Sequence, residues 1–155
     1  MLKPTVIQFL ELRPFVSVAT ANAKCRPHAA PKFFLKAKGE YVYLVDYTIG
    51  RAVENLRVNP RASLSFMDLQ ELRGYRLDGS VEILEDGPEY QLAAQEFHKK
   101  TVSLSASRVI EASKTGKKFS GYELEIPGRF VVLKVHVDEV ASFGPQGDIL
   151  REKTR

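Results

Sequence analysis

The chain contains one cysteine, Cys25, no tryptophan and three histidines. A single thiol excludes an intrachain disulfide, so 155 residues must be held together by packing alone. So few soft ligands also leave little for a metal. Cys25 and His28 form a C-x-x-H pair, which is half a site at best and reads more simply as part of a turn. No apolar run approaches the roughly 20 residues that would span a bilayer. The amino end, Met1-Leu-Lys-Pro, is followed by no long apolar stretch and no small-residue cleavage site, so the expectation is a cytoplasmic protein. No Ser-His-Asp set, HExxH motif or Walker loop stands out, and no internal repeat or low-complexity segment is visible. Charge of one sign is also scarce. The net charge is +4, and the lysines are spread out except for Lys114, Lys117 and Lys118. That excess permits an anionic ligand or nucleic acid, but there is no RNP-like motif, finger spacing or recognition-helix pattern.

What is present is an ordinary globular composition, 44% hydrophobic and 27% charged, of a size suited to one domain. Thr5-Val-Ile-Gln8 resembles a capping box and predicts a short helix that Pro14 ends. Phe15–Thr20 is a β-rich run closed by a turn signal at Ala21–Lys24. Strands are expected near 27–37 and 40–47, joined at Lys38-Gly39 as an antiparallel hairpin. In the second of these, Tyr41, Tyr43 and Val45 alternate with Val42, Leu44 and Asp46, so both faces are apolar until Asp46. A strand of that kind is buried on both sides, as in a barrel backed by another subunit.

Ile49, Val53 and Leu56 give a one-sided helix over 50–58, which Asn59-Pro60 ends. Arg61–Met67 and Arg73–Leu84 alternate as strands, and Gly79 marks a bulge or bend in the second. Asp86-Gly-Pro-Glu89 starts a helix whose apolar stripe is Tyr90, Ala93, Ala94 and Phe97. The stretch 103–121 is ambiguous between a further helix around 106–113 and an ordered excursion. Arg129–Asp138 is the clearest strand, and the tail after Phe143 reads as polar and loose, or as reaching a partner subunit. Six strands at mostly hairpin spacing and two or three helices predict an antiparallel barrel with helices packed outside.

The stretch from Arg26 to Pro60 carries the chemistry. Two strands lead into a tight turn, and Arg51 stands where the next helix begins. A helix start with free N–H groups and a guanidinium suits a phosphate. The bland alternative for Arg51 is a surface arginine in a helix's first turn, where the macrodipole does not favour a cation.

Three pieces of the chain then resemble the pyridoxamine 5′-phosphate oxidase-like, FMN-binding split-barrel family. They are Arg26…Lys32, Gly50-Arg51-Ala-Val-Glu-Asn55-Leu56-x-x-Asn59-Pro60, and Arg73-Gly-Tyr-Arg76-Leu-Asp-Gly79. The resemblance covers roughly Phe15 to Pro88. It implies a mainly β (α+β) fold: a six-stranded antiparallel split β-barrel with two or three flanking helices, one FMN-binding domain over residues 1–155. It also implies FMN at the interface of a homodimer and an oxidoreductase acting through flavin N5, with a nicotinamide nucleotide, NAD(P)H, as a candidate reductant.

By position, Arg51 matches the phosphate-binding arginine, and Lys32 the lysine near the flavin ring. Lys32 is alternatively a solvent-facing strand lysine. Pro31 and Phe33 would supply strand backbone and ring contacts. Val45 and Asp46 match the strand end beside the ring, though Asp46 could equally cap the turn at Gly50.

The departures define alternatives. The family's lysine or threonine after the arginine is Ala52 here, so only its backbone N–H is offered to a phosphate. Gly74 replaces a glutamine, and the C-terminal segment that holds pyridoxal phosphate in the true oxidases is missing. The expectation is therefore a family member that is not a pyridoxamine phosphate oxidase. The remaining readings are a non-catalytic FMN carrier, a pocket adapted to a deazaflavin or haem, and a basic barrel for nucleic acid or another anion.

Overall fold

The computed structural model describes residues 1–116 and 128–154. Seven strands and three helices occur among them, in the order α1 (Pro4–Glu11), β1 (Phe15–Ala21), β2 (Pro27–Lys38), β3 (Tyr41–Asp46), α2 (Arg51–Val58), β4 (Arg61–Asp68), β5 (Arg73–Leu84), α3 (Gly87–Thr115), β6 (Val131–Phe143) and β7 (Ile149–Lys153). The sheet order is β3-β2-β1-β4-β5-β6-β7, and β3 also pairs with β6. That last pairing closes the first six strands into an antiparallel barrel and leaves β7 outside. The expected six-stranded barrel is therefore present, with one strand more.

The core follows from the period of two. Val16 and Val18, Phe34, Val42 and Leu44, Leu64, Leu77, and Leu133 and Val135 all point inward and are buried. Val6 and Leu10 of α1, and Val53 and Leu56 of α2, pack into the same cluster. Gly79 allows the curl. The β5–β6 register shifts between Asp78 and Gly79, and a Cβ at Gly79 would lie 2.1 Å from the His136 carbonyl oxygen.

The closure is uneven. β4 and β5 pair over eight positions, whereas β1 and β4 pair only over Ser17–Ala19 with Ser63–Ser65. On its other flank, β2 meets β3 only from Phe33 onward, so its Pro27–Lys32 half has β1 on one side and no strand on the other.

Three expectations need correction, and the alternative left open over 103–121 is resolved as far as Gly116. The outer face of β3 is covered by the chain's own α3 rather than by a second subunit: Leu35, Tyr43, Val45, Leu84 and Val132 form a second cluster with Ala93 and Phe97 of that helix. α1 has no capping box. Its N-cap is Lys3, without a side-chain cap bond, and Pro4 sets the first helical φ. α3 is a single helix of 29 residues through the stretch read as ambiguous, although nothing beyond Thr101 in it is buried. The tail is not loose over Ile149–Lys153, which pairs with β6 from Glu139 to Phe143. Residues 117–121 of the ambiguous stretch, with the clustered Lys117 and Lys118, lie outside the described residues.

Candidate functional site at the start of the second helix

The end of β3 and the start of α2 are joined by four residues, Tyr47–Gly50, and one carboxylate organises them. Asp46 is buried at the barrel rim. Its Oδ1 accepts from the Thr48 N–H (2.9 Å), the Thr48 hydroxyl (2.6 Å) and the Ile49 N–H (3.2 Å). This is an Asx-type turn, in which the side chain replaces a missing backbone acceptor. Ile49 sits within it at φ 45°, a conformation that costs a β-branched residue strain. Ile49 also packs against the core, which holds the strained turn in place.

The other carboxylate oxygen, Oδ2, receives only the Lys32 ammonium, 2.7 Å away. The Lys32 and Asp46 side chains are 4% and 0% exposed. Lys32 also donates to the Thr48 hydroxyl at 3.2 Å. Burial alone would raise the Asp46 pKa; the bonds from Lys32 and Thr48 outweigh it and hold the carboxyl below its ordinary range. Lys32 is thus an inward-facing lysine in an ion pair, not a solvent-facing one. Asp46 does cap the turn before α2, one of the two roles left open for it.

The helix that follows is uncapped. Its N-cap is Gly50, which has no side chain to offer. The first intrahelical backbone bond runs from the Glu54 N–H to the Gly50 carbonyl (3.2 Å), so the N–H groups of Arg51, Ala52 and Val53 have no backbone acceptor among the described residues. Arg51 is exposed and forms no ion pair among the described residues, while Ala52 is buried beneath it. Three N–H donors without backbone acceptors, the positive end of the helix dipole and an exposed arginine all belong to this first turn, whose acidic residue is Glu54. Asn55 fastens the helix to the barrel through a buried bond to the Thr20 hydroxyl at 3.0 Å.

The remaining site residues divide along β2. Pro31 is exposed on the outer face, opposite Ser17. Phe33 is nearly buried, with its ring edge-on to Phe15 (5.6 Å) and Phe97 (5.2 Å). Val45 stands opposite Phe33 and is fully buried under α3. Their side chains are committed to the second cluster. At Pro27–Lys32 one edge of β2 has no strand partner among the described residues. Sequence reasoning overlooked Thr48, whose hydroxyl links both members of the buried pair; the D-x-T spacing of an Asx turn is its signal. Among the described residues, no group of three or more His, Cys, Asp and Glu could hold a metal, and no helix is long and apolar enough to cross a membrane.

Six closed antiparallel strands with a seventh outside and three helices, among the described residues, make a split-barrel-like fold. The chain belongs to the pyridoxamine 5′-phosphate oxidase family, whose model matches residues 2–144. No curated protein matches the sequence. Among solved structures it is similar to a heme-binding protein from Mycobacterium smegmatis, with a TM-score of 0.66 and 16% identity over 99% of this chain and 60% of that one. It is similar to a Clostridium acetobutylicum protein related to general stress protein 26 of the pyridoxinephosphate oxidase family, at 0.64 and 20% identity over 96% and 92%. It is also similar to a pyridoxamine 5′-phosphate oxidase-related, FMN-binding protein from Nostoc punctiforme, at 0.57 and 12% identity over 100% and 99%. At these identities the likeness establishes the fold.

Proposed function

We propose that the protein binds FMN, with two copies closing over each flavin, and that it is an oxidoreductase for a small substrate other than pyridoxamine phosphate. The observation that carries this reading is the first turn of α2: three N–H groups without backbone acceptors and an exposed Arg51 without an ion pair, among the described residues. Such a point fits a terminal phosphate, with Arg51 supplying charge and the Arg51 and Ala52 N–H groups supplying direction. Ala52 contributes no side-chain bond, so the phosphate is held with fewer contacts than the family pattern provides.

The flavin, when bound, supplies hydride or electron transfer through N5. The chain's own residues position it. The open edge of β2 at Pro31 and Lys32 and the end of β3 at Asp46 border the ring with backbone groups, next to the paired Phe33 and Val45. Asp46, Lys32 and Thr48 hold the turn that aims α2. Because Lys32 is neutralised by Asp46, its influence on the ring is that of an ion pair rather than of a bare positive charge.

The second copy belongs on the outer face made by Ser17 and Ala19 of β1, Ala29 and Pro31 of β2, and Ser65 of β4, all exposed. A solvated sheet face usually carries long polar side chains. These short ones allow another backbone to come close. The proposed role implies a cytoplasmic protein, since FMN and a nicotinamide reductant are available there.

An absorption spectrum of the purified protein, before and after dithionite, tests the cofactor. Flavin bands that bleach are expected; a haem or deazaflavin spectrum overturns the reading, and the mycobacterial heme-binding relative makes the first of these a real competitor. Turnover with NAD(P)H then separates an enzyme from a carrier. Arg51→Ala should weaken FMN binding by about 1.5–3 kcal/mol, the range for a hydrogen bond to a charged group. Fluorescence titration of the apoprotein measures it, and an unchanged affinity refutes the role given to Arg51.

A further inference from the structure

A cavity of about 280 Å³ lies away from the α2 start, between the end of α1, the middle of β2 and the exposed half of α3. Pro14, Phe33, Phe34 and Leu104 line it with apolar surface, and Lys100 and Ser103 bring polar groups to it from one helix. It shares only Phe33 with the flavin site proposed above and does not depend on that proposal.

Lys100 is the unusual member. Its ammonium stands 4.9 Å from the centre of the Phe34 ring and has no ion pair among the described residues. Burial lowers its pKa, and the carboxylates of Glu11 and Glu96 only partly offset that. Glu96 is already engaged by Lys36 at 2.7 Å. The cavity's other cation, Arg13, is committed as well. It donates to Asp68 (2.9 Å) and to the Met67 carbonyl (3.1 Å), and its guanidinium lies 3.7 Å from the centre of the Phe9 ring. The cavity therefore holds one half-buried cation with no direct ion pair among the described residues, set against an aromatic floor, with the Glu11 carboxylate close enough to act on it only at a distance.

A partly desolvated charge without a direct ion pair is costly, and an anion arriving with its own apolar body would relieve it. The volume is at the small end of ligand pockets, enough for one ring or a short chain. A single uncommitted cation with Glu11 nearby favours a monoanion over a phosphate dianion. We infer that this cavity is a binding site for a small monocarboxylate on a flat or short aliphatic body, with Lys100 pairing the carboxylate, Ser103 donating to it, and Phe33, Phe34 and Leu104 holding the apolar part.

The test is isothermal titration of the full-length protein with benzoate and with hexanoate, using inorganic phosphate as the comparison anion. Saturable binding of one of the carboxylates, not displaced by phosphate, is expected. Lys100→Met keeps the stem that covers Phe34 and should weaken binding by about tenfold or more, the loss of a charge-assisted bond. Glu11→Gln removes the competing charge and should strengthen it several-fold. Leu104→Trp fills the cavity and should abolish it with Lys100 still present. Each variant is checked for an unchanged thermal midpoint. Absence of saturable binding by either carboxylate overturns the site, as does binding that survives both Lys100→Met and Leu104→Trp.

Discussion

The outside of the barrel has two halves, and β2 runs through both. In its second half Phe33 and Leu35 point outward into the cluster under α3 and are almost fully buried. In its first half Ala29 and Pro31 point outward and are exposed, beside Ser17 and Ala19 of β1. The covered half is built from large apolar and aromatic side chains, the bare half around Ser17 and Pro31 from alanine, serine and proline, with Arg61 and Met67 at the two ends of the exposed face of β4. A chain that had to cover both halves itself would need a second helix, and among the described residues there is none on the bare side. Large outward residues mark what the chain covers alone, and the small ones lie on the face that the proposed second copy would approach. Lys32 sits between the halves and points inward, to Asp46, and this buried pair holds the turn from which the uncapped α2 starts.

The sharpest way to break the comparison is on the covered side. Phe97→Ala removes the ring that α3 sets against Phe33 and Phe130, and should cost about 3–5 kcal/mol of unfolding free energy. Urea titration measures it. A loss below about 1 kcal/mol would mean that α3 is an ornament on the barrel rather than its cover.

The seam between the halves comes next. Lys32→Met leaves the Asp46 carboxylate buried without its cation and should cost about 3–5 kcal/mol, whereas the double variant Lys32→Met with Asp46→Leu should recover the part of that loss due to the unpaired charge, but not the turn bonds lost with the carboxylate, in the same titration. Failure of the double variant to recover would show that the turn bonds to Thr48 and Ile49, not the ion pair, hold the rim together.

On the bare side, Ala19→Arg puts a long cation into a surface made for close approach. It should raise the dissociation constant of two copies by about tenfold or more and weaken FMN retention in step, while circular dichroism of the separated chain stays unchanged. Sedimentation at several concentrations reads the first effect. An Ala19→Arg protein that associates as the parent does would remove this face from the account.

Acid gives the smallest effect and the one with a defined sign. The folded Asp46 carboxyl titrates below its unfolded value, so its contribution is fully present above about pH 4, the ordinary range of an aspartate, and is lost as pH falls through the lower folded value. Asp46→Asn should flatten that part of the acid unfolding curve, and an unaltered curve would assign acid sensitivity to other carboxylates.

How much of this was legible beforehand depended on the range of the interaction. β5 was read over Arg73–Leu84, its full extent, because alternation there is local and complete. β3 was read correctly as apolar on both faces, but the sequence does not say which element covers a face, and α3 was mistaken for a second subunit. β7 was missed because all five of its residues are exposed, so no pattern of burial marks it and only pairing with β6 orders it. The second half of α3 was ambiguous for the same reason: helix propensity continues there while core contact does not. At the site, Arg51 at the start of a helix was visible from local signals alone. The partnership of Lys32 with Asp46 was not, since two strands have to be laid side by side before the charges meet.

Sedimentation velocity of the FMN-loaded protein, followed in the visible band of the flavin, tests the central claim most directly. The account predicts that the flavin absorbance moves as one boundary at twice the chain mass and leaves that boundary in Ala19→Arg. Flavin absorbance travelling with a single chain, or remaining in free solution, would contradict it.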